Sequence, residues 1–255
     1  MKFKILFLLI ILQSTFSAIG QTKTVDYKDD SQVLSGISIK PSKPFKNNPG
    51  VLILPAWMGI DDHAKDSANR LAELGYAVFV ADIYGIDKRP TNYKEAGQLA
   101  GYFKKNIKEY QTRIQLALDQ LVEQGANPDD IVVMGYCFGG TGSVEAARAT
   151  MKVKGIVSFH GGLGRDEART IEPISAKVLI LHGADDNYVP KEEIENFQNE
   201  MRTAKADWQM VYYANAVHSF TDKNAGSDNS KGAAYNEKAE KRSWEAMLTF
   251  LKEVL

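Results

Sequence analysis

One cysteine in 255 residues cannot close a disulfide within its own chain, which excludes a small fold stapled by disulfides. A surplus of one charge is missing too: 31 Lys and Arg stand against 32 Asp and Glu, for a formal net charge of -1. The two signs are interspersed, so nothing points to a nucleic-acid partner. The four histidines, His63, His160, His182 and His218, show no H-x-x-x-H ligand spacing, and no metal or other cofactor is expected. No segment repeats or is of low complexity. Long apolar runs are lacking as well. The longest, residues 5–12 after Lys2 and Lys4, is shorter than the roughly 20 residues a membrane span needs. With Ser17-Ala18-Ile19-Gly20 behind it, residues 1–20 have the form of a secretory signal peptide cleaved after Gly20. An uncleaved anchor is the alternative. The mature chain is expected to be exported, periplasmic or secreted, without stable membrane insertion, and monomeric. In an oxidising compartment a lone thiol is either linked to another chain or kept free and reactive.

What is present is an ordinary globular composition, 44% apolar and 25% charged, long enough for one large domain over residues 21–255. Buried-looking runs at residues 50–55, 77–81, 131–134, 153–159, 178–181 and 208–213 alternate with helical patterns, and residues 33–39 read as an edge strand. Helices are expected at about 64–74, through Phe103, Ile107, Tyr110, Ile114, Leu118 and Leu121, at 190–203, and at the end through Trp244, Leu248, Leu251 and Leu255. Strands alternating with helices predict an α/β fold, a mostly parallel sheet covered on both faces. A long polar loop, residues 214–232, holds His218.

Gly135-Tyr136-Cys137-Phe138-Gly139 sits where the strand ending at Met134 must turn sharply into a helix. Such a strained turn lifts its central side chain above the sheet and aims the following amide, Phe138 N–H, at an anion beside it. A buried, inert Cys in a tight turn is the plainer alternative. Ligand-facing groups in these sheets gather at the carboxyl ends of strands. That criterion collects Cys137, Asp82, His160, Asp185, Asp186 and His218. The order nucleophile, acid, histidine is that of hydrolytic triads on such folds, with His218 as the base and Asp185 and Asp186 competing for the acid. His160 and His182, ending strands beside glycines, read as structural groups, and His63 as surface.

Gly135-Tyr136-Cys137-Phe138-Gly139-Gly140, Gly183-x-x-Asp186-x-x-Val189-Pro190 and His218-Ser219-Phe220 resemble the dienelactone hydrolase family of the α/β hydrolases. Val25-x-Tyr27 with Gly36, and Asp82-x-Tyr84 with Arg89-Pro90, are similar to it as well. The resemblance covers nearly the whole mature chain. It implies an α/β-hydrolase fold with Cys137 as nucleophile, Asp186 as acid and His218 as base, acting on a small carboxylic ester, lactone or thioester. Phe138 N–H and an amide from Ala56 or Trp57 would hold the oxyanion. Trp57, Met58, Tyr84 and Tyr136 are expected to wall the mouth, and Arg89 to meet a substrate carboxylate. Two departures stand out: Ala56 where family enzymes carry a Glu that regulates the thiol, and Asp222 where they carry a second Arg. These motivate the alternative of a weak or inactive homologue that binds small ligands.

Overall fold

The computed structural model describes residues 21–255. The expected signal peptide, residues 1–20, lies outside the described residues. Eight strands form one sheet: β1 (Gln21–Asp29), β2 (Gln32–Lys40), β3 (Gly50–Leu54), β4 (Ala77–Val80), β5 (Ile131–Tyr136), β6 (Gly155–Phe159), β7 (Lys177–Gly183) and β8 (Trp208–Tyr213). Their spatial order is β1-β2-β4-β3-β5-β6-β7-β8. The first two strands run antiparallel and the remaining neighbours from β4 onward pair in parallel.

The helices are α1 (Asp62–Glu73), α2 (Tyr93–Lys105), α3 (Ile107–Glu123), α4 (Phe138–Arg148), α5 (Lys191–Thr203) and α6 (Glu237–Val254). Each central strand serves two apolar layers at once. In β5, Ile131 and Val133 face the layer of α2, α3, α4 and α5, while Val132, Met134 and Tyr136 face that of α1 and α6. Such strands are apolar at every position, which is why they read as continuous runs rather than alternating ones. Each fully buried Val, Leu or Ile contributes roughly 1.5–3 kcal/mol.

Two details differ from the sequence expectation. The edge strand is β1, unforeseen, and β2 lies inside the sheet between β1 and β4. Only Val25 and Tyr27 of β1 are buried, too few apolar positions to read as a strand beside so many charges. The single helix expected through residues 103–121 is two, α2 and α3, parted at Asn106. Asn106 Nδ2 donates to the Tyr102 carbonyl at 2.9 Å, a local side-chain bond that competes with helix continuation. The loop after β8 carries two short 3₁₀ turns, Lys223–Ala225 and Asn229–Lys231, capped by Asp222 and Asp228.

Candidate active site

Cys137 stands between β5 and α4 with φ +53° and ψ -112°, a conformation costly for a residue with a Cβ. The turn closes because its neighbours lack side chains: a Cβ on Gly135 would run into the Gly139 carbonyl, and one on Gly139 into that of Leu54. Cys137 N–H donates to the Phe159 carbonyl at 3.0 Å, and Thr141 N–H to the Cys137 carbonyl at 3.1 Å. The strained residue is thus fixed on both sides, with its thiol set over the carboxyl ends of the strands.

His218 arrives from the loop after β8. Its N–H donates to the Gly232 carbonyl and its carbonyl accepts from Ala234 N–H. Two residues on, Phe220 is fully buried. Thr221 Oγ1 lies 2.8 Å from His160 Nε2, so the buried His160 ties down the chain that carries His218. The His218 Nε2 atom lies 3.0 Å from Cys137 Sγ and its Nδ1 lies 2.8 Å from Asp186 Oδ2. The other Asp186 oxygen accepts the Tyr188 amide at 2.9 Å. Asp186 is buried while Asp185 is exposed, so of the two adjacent acids Asp186 is the one that orients the imidazole.

Electrostatics link these groups. Burial alone would push the thiol of Cys137 up. The hydrogen bond and charge of His218, helped by Lys104 and the Phe138 amide, outweigh it and hold the thiol below its ordinary value. Burial would likewise push His218 down, but Asp186 and Cys137 outweigh it and raise the imidazole to about 10. Both shifts favour a thiolate beside an imidazolium.

The Phe138 amide adds to the pull that lowers the thiol. Its peptide is clamped: the Tyr110 hydroxyl donates to the Phe138 carbonyl at 2.9 Å, and the two rings stack at 4.5 Å. Tyr84 stacks on the same ring at 5.7 Å and donates its hydroxyl to the Trp57 carbonyl at 2.9 Å. One tyrosine therefore braces both segments expected to supply oxyanion donors, Phe138 and Ala56-Trp57.

A cavity of about 280 Å³ opens on the pair, lined by Trp57, Lys104, Cys137, Gly162, Tyr188, Val189, His218, Ser219 and Ala233. Of the expected wall residues only Trp57 is among them. Tyr136 is buried with its hydroxyl 2.9 Å from Ser67 Oγ, because in β5 it shares the parity of Val132 and Met134 and points to the opposite layer. Tyr84 is buried behind the cavity as a brace, and Met58 is not part of the lining. Arg89 donates to Asp82 Oδ2 at 2.9 Å and to the Ser35 carbonyl at 2.8 Å, which fixes it away from the cavity. Asp82 is spent on that bond and on the amides of Ser35, Tyr84 and Gly85. Asp222 caps a turn and stays outside the lining. His63, expected at the surface, packs its ring 4.3 Å from that of Tyr136. Tyr188, two residues beyond Asp186 and edge-on to His218 at 5.1 Å, was detectable as a neighbour of the acid. Lys104, on a helix far from any motif, was not. No three metal-ligating side chains converge among the described residues.

The profile of the family described as "Dienelactone hydrolase family" matches residues 34–255. A solved structure of a dienelactone hydrolase-like promiscuous phosphotriesterase, P91 from metagenomic libraries, is 37% identical with a TM-score of 0.86, covering 93% of this chain and 99% of its own. A second, m3DLH, is 33% identical with a TM-score of 0.88 and covers 93% and 100%. Among curated sequences, a protein of Escherichia coli K12 named "Putative carboxymethylenebutenolidase" is 25% identical over 80% of this chain and 77% of its own length.

Proposed function

We propose that this chain, which belongs to the dienelactone hydrolase family, hydrolyses carboxylic esters or lactones through a thiolate at Cys137. The observation that carries the reading is the continuous contact Cys137 Sγ–His218 Nε2–Asp186, at 3.0 and 2.8 Å, on a strained strand-to-helix turn. The thiolate attacks the carbonyl carbon, and the carbonyl oxygen takes the displaced electron pair as an oxyanion. Phe138 N–H and an amide of the Ala56-Trp57 segment stabilise that charge. The adduct collapses, the C–O bond to the alcohol breaks, and the His218 imidazolium gives the departing oxygen its proton. In a lactone that oxygen stays tethered. Water then attacks the thioester while His218 takes its proton, the C–S bond breaks, and the acid leaves with the thiolate–imidazolium pair restored. Thiolate leaves more readily than alkoxide, so activated esters, enol lactones and thioesters turn over faster than plain alkyl esters or amides.

Residues 1–20 direct export and are removed, a reading supported by the basic start, short apolar run and small residues at 17–20. Mass determination of the N-terminus in an exported fraction tests it; an intact Met1 would refute it. The likeness to P91 favours phosphotriesters as a second substrate class for the same thiolate, measurable with an aryl phosphotriester. The main reading is tested with phenyl acetate in wild type, Cys137→Ala and His218→Ala. Loss of turnover in both variants is expected, and retained turnover would move the chemistry elsewhere.

A further inference from the structure

Lys104 is the one charged side chain lining the catalytic cavity outside the proposed triad, and ester hydrolysis as derived gives it no task beyond its pull on the thiol. It also lines a neighbouring cleft of about 900 Å³ whose wall includes Lys105, Lys108, Arg165 and Arg169. The backbone between the two spaces is continuous: Gly162 faces the cavity and Gly164 the cleft. Arg165 and Arg169 are engaged by the buried Glu200 and Glu145 at 3.5 and 2.8 Å. Lys104, Lys105 and Lys108 are exposed and form no ion pair among the described residues.

The acids in the cleft are occupied. Glu109 accepts from the Tyr102 hydroxyl at 2.7 Å and lies 3.6 Å from Arg113 Nη2, and Asp166 accepts from Ala168 N–H at 2.9 Å. Between the two spaces Gly162 leaves a gap. A Cβ there would stand 3.8 Å from Lys104 Nζ and 3.2 Å from Thr141 Oγ1, a buried hydroxyl without a hydrogen-bond partner. Glu193 Oε1 borders the same gap at 3.7 Å, but it already accepts from Leu163 and Gly164 N–H at 2.5 and 2.8 Å.

We propose that the substrate is an ester with a polyanionic arm, its carbonyl at Cys137 and its arm crossing Lys104 into the cleft of Lys105 and Lys108. This rests on the hydrolase reading above. One exposed ion pair changes affinity by about fivefold at most, so an arm with a single charge gains little. Two or more charges against three ammonium groups give a preference of about tenfold or greater, sensitive to salt.

The test compares kcat/KM for matched esters that differ in charge. On the alcohol side these are phenyl acetate and acetoxyisophthalate; on the acyl side, phenyl butyrate and the monophenyl ester of tricarballylate. For at least one pair the dianion is expected to be preferred by about tenfold at low salt. That ratio should collapse at high salt and in both Lys104→Ala and the double variant Lys105→Ala/Lys108→Ala. The pair that shows it gives the side of the substrate that carries the arm. Hydrolysis of the neutral esters with ratios near one would overturn the arm and leave the hydrolase standing. No turnover of any ester, with slow alkylation of Cys137, would bring down the hydrolase reading and the arm with it.

Discussion

Replacing Tyr84 by Phe removes one oxygen atom and isolates the brace behind the oxyanion site. The hydroxyl donates to the Trp57 carbonyl at 2.9 Å, while the ring stacks on Phe138 at 5.7 Å. Phe keeps the stack and loses the bond. A net hydrogen bond of this kind is worth about 0.5–1.5 kcal/mol. Stability should therefore fall by about 1 kcal/mol in urea unfolding. Activity should suffer more. Deleting an oxyanion donor outright costs about 10²–10³ in kcat. A donor whose segment is merely loosened should cost about tenfold, with KM for phenyl acetate little changed. Tyr84→Ala, which also empties the stack, should lose about 3–5 kcal/mol of stability. If Tyr84→Phe is destabilised as expected but keeps full kcat, the Ala56-Trp57 segment supplies no oxyanion donor and the brace is only structural.

Changing Asp186 to Asn removes the group that helps hold His218 at about 10; kcat should drop about 10²–10⁴-fold, and the alkaline limb of the pH–rate profile should move downward. The wild-type profile should rise below the ordinary thiol range, because thiolate is gained there. It should fall only near 10, as the imidazolium that protonates the leaving group is lost; a rise centred on an unshifted thiol would contradict this. Arg148 is buried between Glu145 and Glu200 at 2.8 and 2.7 Å. Arg148→Ala should cost about 3–5 kcal/mol by leaving buried carboxylates short of a partner, measured by denaturant unfolding. Thr221→Val breaks the 2.8 Å contact to His160 and should lower kcat more than stability, since it frees the chain that positions His218; equal activity would make that contact purely structural.

The strand-end rule found the three groups that meet because it depends only on where strands stop and helices start, and those boundaries are written in Met134-Gly135 and Leu181-His182-Gly183. It could not choose between Asp185 and Asp186, since that depends on which side chain turns inward under Tyr188. The wall residues failed for a related reason. Tyr136 adjoins Cys137 in sequence, yet the pleat of β5 sends it to the other face, and its shared parity with Val132 and Met134 already carried that information. Arg89 looks free for a substrate in the sequence, but Asp82, seven residues earlier, and the Ser35 carbonyl hold it. Lys104 reaches the cavity from α2 through tertiary packing, which no local pattern encodes.

The central claim is the thiolate–imidazolium pair, and titration of the Cys137 thiolate by ultraviolet absorbance tests it most directly, in wild type and His218→Ala with Cys137→Ala as the blank. In wild type the thiol should titrate below its ordinary range, and the midpoint should move up to that range or beyond when His218 is removed. A wild-type thiol that titrates at about 9 or higher, unchanged by His218→Ala, would contradict it.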